Sequence, residues 1–485
     1  MTTTTVTPQC TKIDFNSSDE VYSPAALPDT AQAQALERAG YVQEEYFLSG
    51  FGAIYRSGQD LPELEHEGIP YTTRILVVRP RDAGAFNGVV HLTGMHPFLG
   101  GVQWNWAEHL VLSTGAAFVA VATGTDAKSR SQSTAENPIA GPWVTKWFDS
   151  QRYAPLHWPT DDGIRWSVLA DTAKLLRSPE RSFLADLGIE RIFCSGWSFL
   201  GSFQRTYINE GFHDLFRAAD GGPLIDGYAI GISSPWQQPG YLPINSHTPV
   251  PPLGDARRTL RPIDVPVIEF LSQNEGQANY GAQIPDIDQG LGRHRLYEVA
   301  GASHRDTGVP APRTYRQQLK DRNHSEAVGE YEPNLQISDV PVRLLFAAAM
   351  QNLDSWVRES VPPPPGAQLR VNRAQQIEYD EFGNPRGGVR SVQLDVPLAR
   401  YGAATGRTEA RYTPQYLQML RTPLEPSEIE KLYPGGLTDY LEQARQRVQQ
   451  MVEQRWLRAA DEELYLQELT NEALKVFTVE HAHSH

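Results

Sequence analysis

An α/β fold, with a mostly parallel central sheet and helices on both faces, is what the sequence predicts, and three observations carry the prediction. Short apolar runs bounded by Gly, Pro or Asp alternate with segments of helical spacing between residues 71 and 357. The runs are apolar on successive residues, as strands buried on both faces are. A composition of 40% hydrophobic and 21% charged residues over 485 positions is that of a globular chain long enough for one large core or two ordinary ones.

The elements follow in order. Residues 71–79 (YTTRILVVR), 88–93 (GVVHLT) and 117–123 (AFVAVAT) read as strands, with a helical pattern at 104–112 between the second and third. A helix fits 163–176, where Ile164, Val168, Ala170, Thr172 and Leu175 or Leu176 share a side. Residues 189–194 (IERIFC) form the next strand, and Phe199, Leu200, Phe203 and Tyr207 then recur at helical spacing. Three further strands fit 225–233 (IDGYAIGIS), 265–272 (VPVIEFLS) and 293–300 (RHRLYEVA). The alternation is that of an α/β sheet.

Ser338 and Asp339 precede an apolar helix over 340–357 with Pro341 in its first turn, and the run Pro362 to Pro365 stops it. That proline run is the clearest boundary. The chain therefore divides into an N-terminal tail (1–20), a body (21–362) with long cap-like loops near 124–160 and 234–262, and an extension (363–480). The stretch 426–477 reads as helical, with Leu437, Leu441, Ala444, Val448 and Met451 on a face that packs back on the body.

Lys plus Arg total 43 against 58 Asp plus Glu, a formal charge of −15 without a basic run, which argues against nucleic acid and anionic membranes as partners. The N-terminus MTTTTVTPQCTKIDF lacks a basic segment followed by an apolar core, and no long apolar run occurs, so a cytoplasmic chain without a membrane span is expected. Two cysteines make no disulfide framework, and Cys194 sits in an expected buried strand. No metal-ligand spacing is present, and the tail histidines His481, His483 and His485 are poorly placed for a preorganised site, so neither a metal nor a cofactor is expected. The oligomeric state is open, a homo-oligomer included.

The stretch from Cys194 to Phe203 reads CSGWSFLGSF. A Gly-x-Ser turn between a strand and a helix lifts a serine above the sheet at a helix N-terminus, whose dipole favours developing negative charge. The elbow pattern asks for a small residue two places after the serine, and Leu200 stands there, with Gly201 one place later. On spacing alone Ser198 is either a nucleophile or part of a plain structural turn. An acyl-transfer serine also needs a base and an orienting carboxylate, which follow in α/β-hydrolases in the order Ser, Asp or Glu, His. Here VPVIEFLS runs into a loop holding Glu275, and RHRLYEVA into a loop holding His304. Strand ends on one edge of a sheet converge where ligands bind. Asp286 and Asp288 are rival acids further along the first loop, and Asp306 is too close behind His304 to orient it.

The oxyanion hole should combine the N–H of Phe199 with a second donor from Gly94 or Met95. His96 either touches substrate or closes the Pro97 turn. Trp143, Trp147 and Trp158 lie in the long connection after AFVAVAT, Trp236 opens the later proline-rich loop, and Trp197 and Leu200 flank the serine's neighbours. These residues together suggest an apolar, partly covered substrate pocket.

The segments DGIRWSVLADTAKLLRS (162–178), CSGWSFLGSFQRTYINEGFHD (194–214), DGGPLIDGYAIGIS (220–233), VPVIEFLSQNEG (265–276), RLYEVAGASHRD (295–306) and GNPRGGVRSVQLDVPLARYG (383–402) resemble a family of large α/β-hydrolase-domain proteins with a C-terminal extension. The resemblance runs from about residue 20 to beyond 450. It implies the α/β-hydrolase fold and a Ser, acid, His apparatus, with the acid on Glu275 where the family usually has aspartate. Phe199 and Leu200 depart from the family's polar and small pair. The expected activity is hydrolysis of a carboxylic ester or lactone of a hydrophobic small molecule by a serine hydrolase. Acyl transfer by the same residues and a catalytically silent binding protein are the alternatives.

Overall fold

Strands Gln9–Ile13 (β1), Tyr41–Arg56 (β2), Glu63–Pro80 (β3), Val89–Met95 (β4), Ala117–Ala122 (β5), Arg191–Trp197 (β6), Gly227–Gly231 (β7), Val267–Ser272 (β8) and His294–Val299 (β9) join in one sheet. Their spatial order is β1-β2-β3-β5-β4-β6-β7-β8-β9. From β5 onward every pairing is parallel, whereas β1, β2 and β3 form an antiparallel wing that joins through β3 and β5. This computed structural model describes residues 7–14, 21–125, 127–236, 240–304, 314–325, 336–403 and 419–479.

Alternation along each strand sorts side chains to two layers. In β6, Ile192 and Cys194 enter one core with the helices Arg165–Leu176 and Phe199–Asn209, while Phe193 and Trp197 enter the other with the helix Val342–Glu359. Burial there pushes the Cys194 thiol up to about 12, so it packs as a small hydrophobe.

The second core does not end at the proline run. It continues into the helices Leu437–Glu453 and Glu462–Val479, whose Ala444, Val448, Met451, Tyr465 and Leu469 share it with Leu353 and Trp356. The extension also covers the edge of the sheet: Ala367 bridges Tyr297 and Val389 bridges Val299, with Glu298 N donating to Ala367 O at 2.8 Å and Ala300 N to Val389 O at 3.0 Å. An exposed edge strand is thereby removed.

Several elements differ from the sequence-based expectation. The long hairpin of β2 and β3 appears where only residues 71–79 were expected as strand. The stretch 426–477 is three helices, Pro426–Leu432, Leu437–Glu453 and Glu462–Val479. A two-stranded ribbon, Ala399–Ala403 with Met419–Pro423, lies in the expected irregular part of the extension. The loop near 124–160 carries the helices Ala127–Gln132 and Gly141–Phe148. No helix among the described residues is long and apolar enough to cross a membrane.

Candidate active site

Ser198 directly follows β6 and caps the helix Phe199–Asn209 with φ 60° and ψ −113°, a conformation unfavourable for a side chain bearing a Cβ. Its neighbours hold it there. Ser198 N donates to Gly231 O at 2.9 Å, and Ser202 N to Ser198 O at 3.1 Å. A Cβ on Gly196 would fall 2.5 Å from Leu200 O, so the turn closes only over glycine.

The structure also shows how Leu200 fits where a small residue was expected. A Cβ on Gly94, in neighbouring β4, would lie 2.8 Å from Leu200 Cδ2. The missing volume has moved from the elbow to the strand beside it. On the other flank, Gly201 approaches Gly231 O and Ser233 Cβ at 2.7 and 2.8 Å, measured from its own absent Cβ.

Three side chains from three strand ends meet at Ser198. His304 Nε2 lies 2.9 Å from Ser198 Oγ, and His304 Nδ1 lies 2.7 Å from Glu275 Oε1. With Nδ1–H donated to the carboxylate, Nε2 is left to accept from the serine hydroxyl. Glu275 stands in the short helix Gln273–Ala278, not in a loop, because Ser272 turns the chain directly from β8 into helix. It is 1% exposed, and its Oε2 has no hydrogen-bond partner among the described residues, so the carboxylate is committed to the imidazole. Asp286 instead accepts from Gly366 N at 2.6 Å and Asp288 from Arg295, which places both at the junction with the extension. Asp306 lies outside the described residues.

The turn carrying His304 is held at Gly301, whose φ of +69° suits glycine. Gly301 N donates to Gln273 Oε1 at 2.8 Å, and Ser338 Oγ donates to Gly301 O at 2.7 Å. Glu298, on β9, lies under the acid helix, with its Cδ 3.1 Å from where a Gly276 Cβ would be, and accepts from Leu369 N of the extension at 2.8 Å. Burial pushes the Glu298 carboxyl up to about 7. None of these supports is legible in the sequence, since bonds to main-chain atoms leave no motif.

Phe199 is the first residue of its helix, so its N–H has no acceptor within the helix and opens toward the serine end. Gly94 and Met95 close β4 next to it, paired with Val121 and Ala122 of β5. His96 N is used by Gly101 O at 2.9 Å, and the His96 ring sits 5.6 Å from the Phe199 ring while its Nδ1 accepts from Phe98 N. His96 thus both closes the turn and borders Phe199.

The tryptophans divide. Trp158 lies over Gly124, donates Nε1 to Asp162 at 2.8 Å, and packs against the core that contains Phe199 and Leu200. Trp147 packs on His324, Trp143 is 43% exposed, and Trp236 lies against Gly254. Trp197 and Leu200 are both buried: Trp197 is 3% exposed, stacks on Trp106 and borders a small cavity with Thr93, Leu110 and Met350, and Leu200 is 1% exposed. Successive strand residues face opposite layers, and Trp197 is the last of β6.

Among curated proteins none matches this sequence. Similar solved structures include fungal esterases from Rhizomucor miehei, at 11% identity over 61% of this chain and 90% of the other with a TM-score of 0.30. A thermostable esterase from Pseudomonas putida ECU1011 has 12% identity over 62% of this chain and 89% of its own, with a TM-score of 0.28. The α/β-hydrolase domain family matches residues 15–467, and the chain, with its mostly parallel sheet, belongs to that family.

Proposed function

We propose that this protein is a serine hydrolase that cleaves a carboxylic ester or lactone of a hydrophobic small molecule through an acyl-enzyme. The observation that carries the reading is the relay Ser198 Oγ, His304, Glu275, with contacts of 2.9 and 2.7 Å around a carboxylate buried to 1% exposure. Ser198 Oγ attacks the carbonyl carbon as His304 Nε2 takes its proton, and the imidazolium then gives that proton to the departing alkoxide. Water repeats the sequence on the acyl-enzyme, again through His304. Glu275 keeps the imidazole in the tautomer the cycle needs. The N–H of Phe199 at the helix N-terminus, with Gly94 or Met95 opposite, supplies the oxyanion donors.

The hydrophobic preference is supported by Phe199 beside His96 and by Trp158 packed against the core to which Phe199 belongs. Trp143, Trp147 and Trp236 belong to this reading only as members of the surrounding loops.

The test is labelling by a fluorophosphonate probe and turnover of an ester and lactone panel graded in acyl and alcohol size, run on wild type and on Ser198→Ala. The expected outcome is labelling of wild type only, a loss in kcat of about four to six orders of magnitude in the variant, and a rise of kcat/KM with apolar size. A variant that keeps a tenth of the activity on its best substrate removes Ser198 from the mechanism. A best substrate that is small and charged removes the apolar pocket and leaves the relay. Ester products formed when an alcohol is added would identify acyl transfer.

A further inference from the structure

The residue before the nucleophile carries a contact that the relay does not use. Trp197 Nε1 donates to the main-chain carbonyl of His304 at 3.2 Å. Ser198 and His304 are therefore joined twice, once through Oγ and Nε2 and once from the elbow's indole to the backbone of the base.

The indole is clamped on several sides. Trp106 stacks on it with centroids 3.7 Å apart and planes at 18°, Phe346 meets it edge-on at 5.1 Å, and Phe270 lies at 6.1 Å. Across the sheet, a Cβ on Gly231 would fall 2.5 Å from Trp197 Cε3, so only glycine leaves room for the ring. That same glycine accepts the Ser198 N–H at 2.9 Å. A ring so enclosed has one orientation, and that orientation aims its only donor at His304 O.

We propose that Trp197 is a positioning residue that fixes the main chain of His304 relative to Ser198, a role that rests on the hydrolase reading above. The imidazole can approach Oγ to hydrogen-bonding distance only if its own backbone stays in place, and an error of about 1 Å at such a group costs on the order of a hundredfold in rate. His304 serves as base in acylation and again in deacylation, so its misplacement slows both steps and leaves ground-state binding unchanged.

Three forms of the full chain test this on the best ester of the panel. Trp197→Phe removes the donor. Replacing Trp197 with β-(3-benzothienyl)alanine keeps the shape and puts sulfur in place of the N–H. Trp106→Phe disturbs the same stack and leaves the donor. The expected result is a fall in kcat of about 10- to 100-fold in both Trp197 forms, with KM within about twofold and acylation and deacylation slowed alike. Trp106→Phe should lower the melting temperature and keep kcat within about threefold of wild type. Should Trp197→Phe fail to fold, the isosteric form decides. Retention of half the wild-type kcat by the isosteric form overturns the assignment, as does a Trp106→Phe loss equal to that of Trp197→Phe. Turnover and Ser198 labelling of wild type test the hydrolase reading separately, so its failure is not confused with that of the tether.

Discussion

Glu275 gives one buried oxygen to His304 Nδ1 at 2.7 Å, and the rival carboxylates are occupied elsewhere. An amide at this position offers its N–H₂ or its oxygen to the imidazole in the wrong balance and permits the unproductive tautomer. Glu275→Gln is therefore expected to lower kcat by about a thousandfold or more, as steady-state kinetics would show. Asp286→Asn and Asp288→Asn should leave kcat near wild type and weaken the junction with the extension; the opposite ranking moves the acid along the chain. The order of Ser198, Glu275 and His304 was legible because each follows an apolar strand that the sequence announces. The burial of Trp197 was not legible, because a large aromatic beside the serine reads as a pocket wall whether or not strand alternation at the end of β6 also sends it into the core.

At the scale of elements, β4 and the elbow helix were fitted to each other by an exchange of volume. Leu200 occupies the space that Gly94 leaves, and Ile192 and Cys194 of β6 lie in the same core as Leu200. Gly94→Ala forces Leu200 Cδ2 and Thr123 Oγ1, which would lie at 2.8 and 3.2 Å from the new methyl, to move, at about 1–3 kcal/mol. Leu200→Ala opens a cavity at about 2–5 kcal/mol. Combined, the two should cost less than their sum by about 1 kcal/mol or more in urea unfolding, since each relieves the other's defect. Strict additivity would show that the close approach has no energetic meaning. Parallel strands were readable because burial on both faces makes them apolar throughout. The hairpin of β2 and β3 was not, because Glu44 and Glu45 sit inside it. Glu45 is fully buried against Arg74 and Arg152, and Glu44 against Arg79, so buried ion pairs broke the hydrophobic pattern. In the extension, Pro434, Gly435 and Gly436 mark the first helix break, whereas the second turns at Arg455 with φ 61° and has no such marker.

Across the whole molecule, buried ionisable groups on different strands give stability two opposed dependences on pH. His91, on β4, is pushed down to about 4 by burial and by the Arg458 charge. The unfolded chain, with a histidine pKa of about 6.5, then binds a proton that the folded state refuses, so stability falls as pH drops from about 6.5 towards about 4. Glu298, on β9, is raised by burial to about 7. Its folded form holds a proton that the unfolded chain releases near pH ~4.3, so stability falls as pH rises from about 4.3 towards about 7. His294 is pushed the same way as His91 by burial and by the Arg205 charge, but a bond to the Pro285 backbone and the Asp286 charge act in the other direction, which makes His91 the cleaner reporter. Carboxylates lowered by arginine partners, such as Asp255, titrate below this window. Relative to wild type, His91→Phe should gain about 2 kcal/mol more at pH 5 than at pH 7, and Glu298→Gln should lose about 2 kcal/mol more at pH 5 than at pH 7. Urea midpoints of the three proteins at the two pH values measure both differences. If either variant shifts by the same amount at both values, its group does not titrate differently in the folded and unfolded chain. Because Glu298 also packs under the helix that carries Glu275 and accepts from Leu369 N, its proton is the point at which stability, the extension and the acid helix share one group.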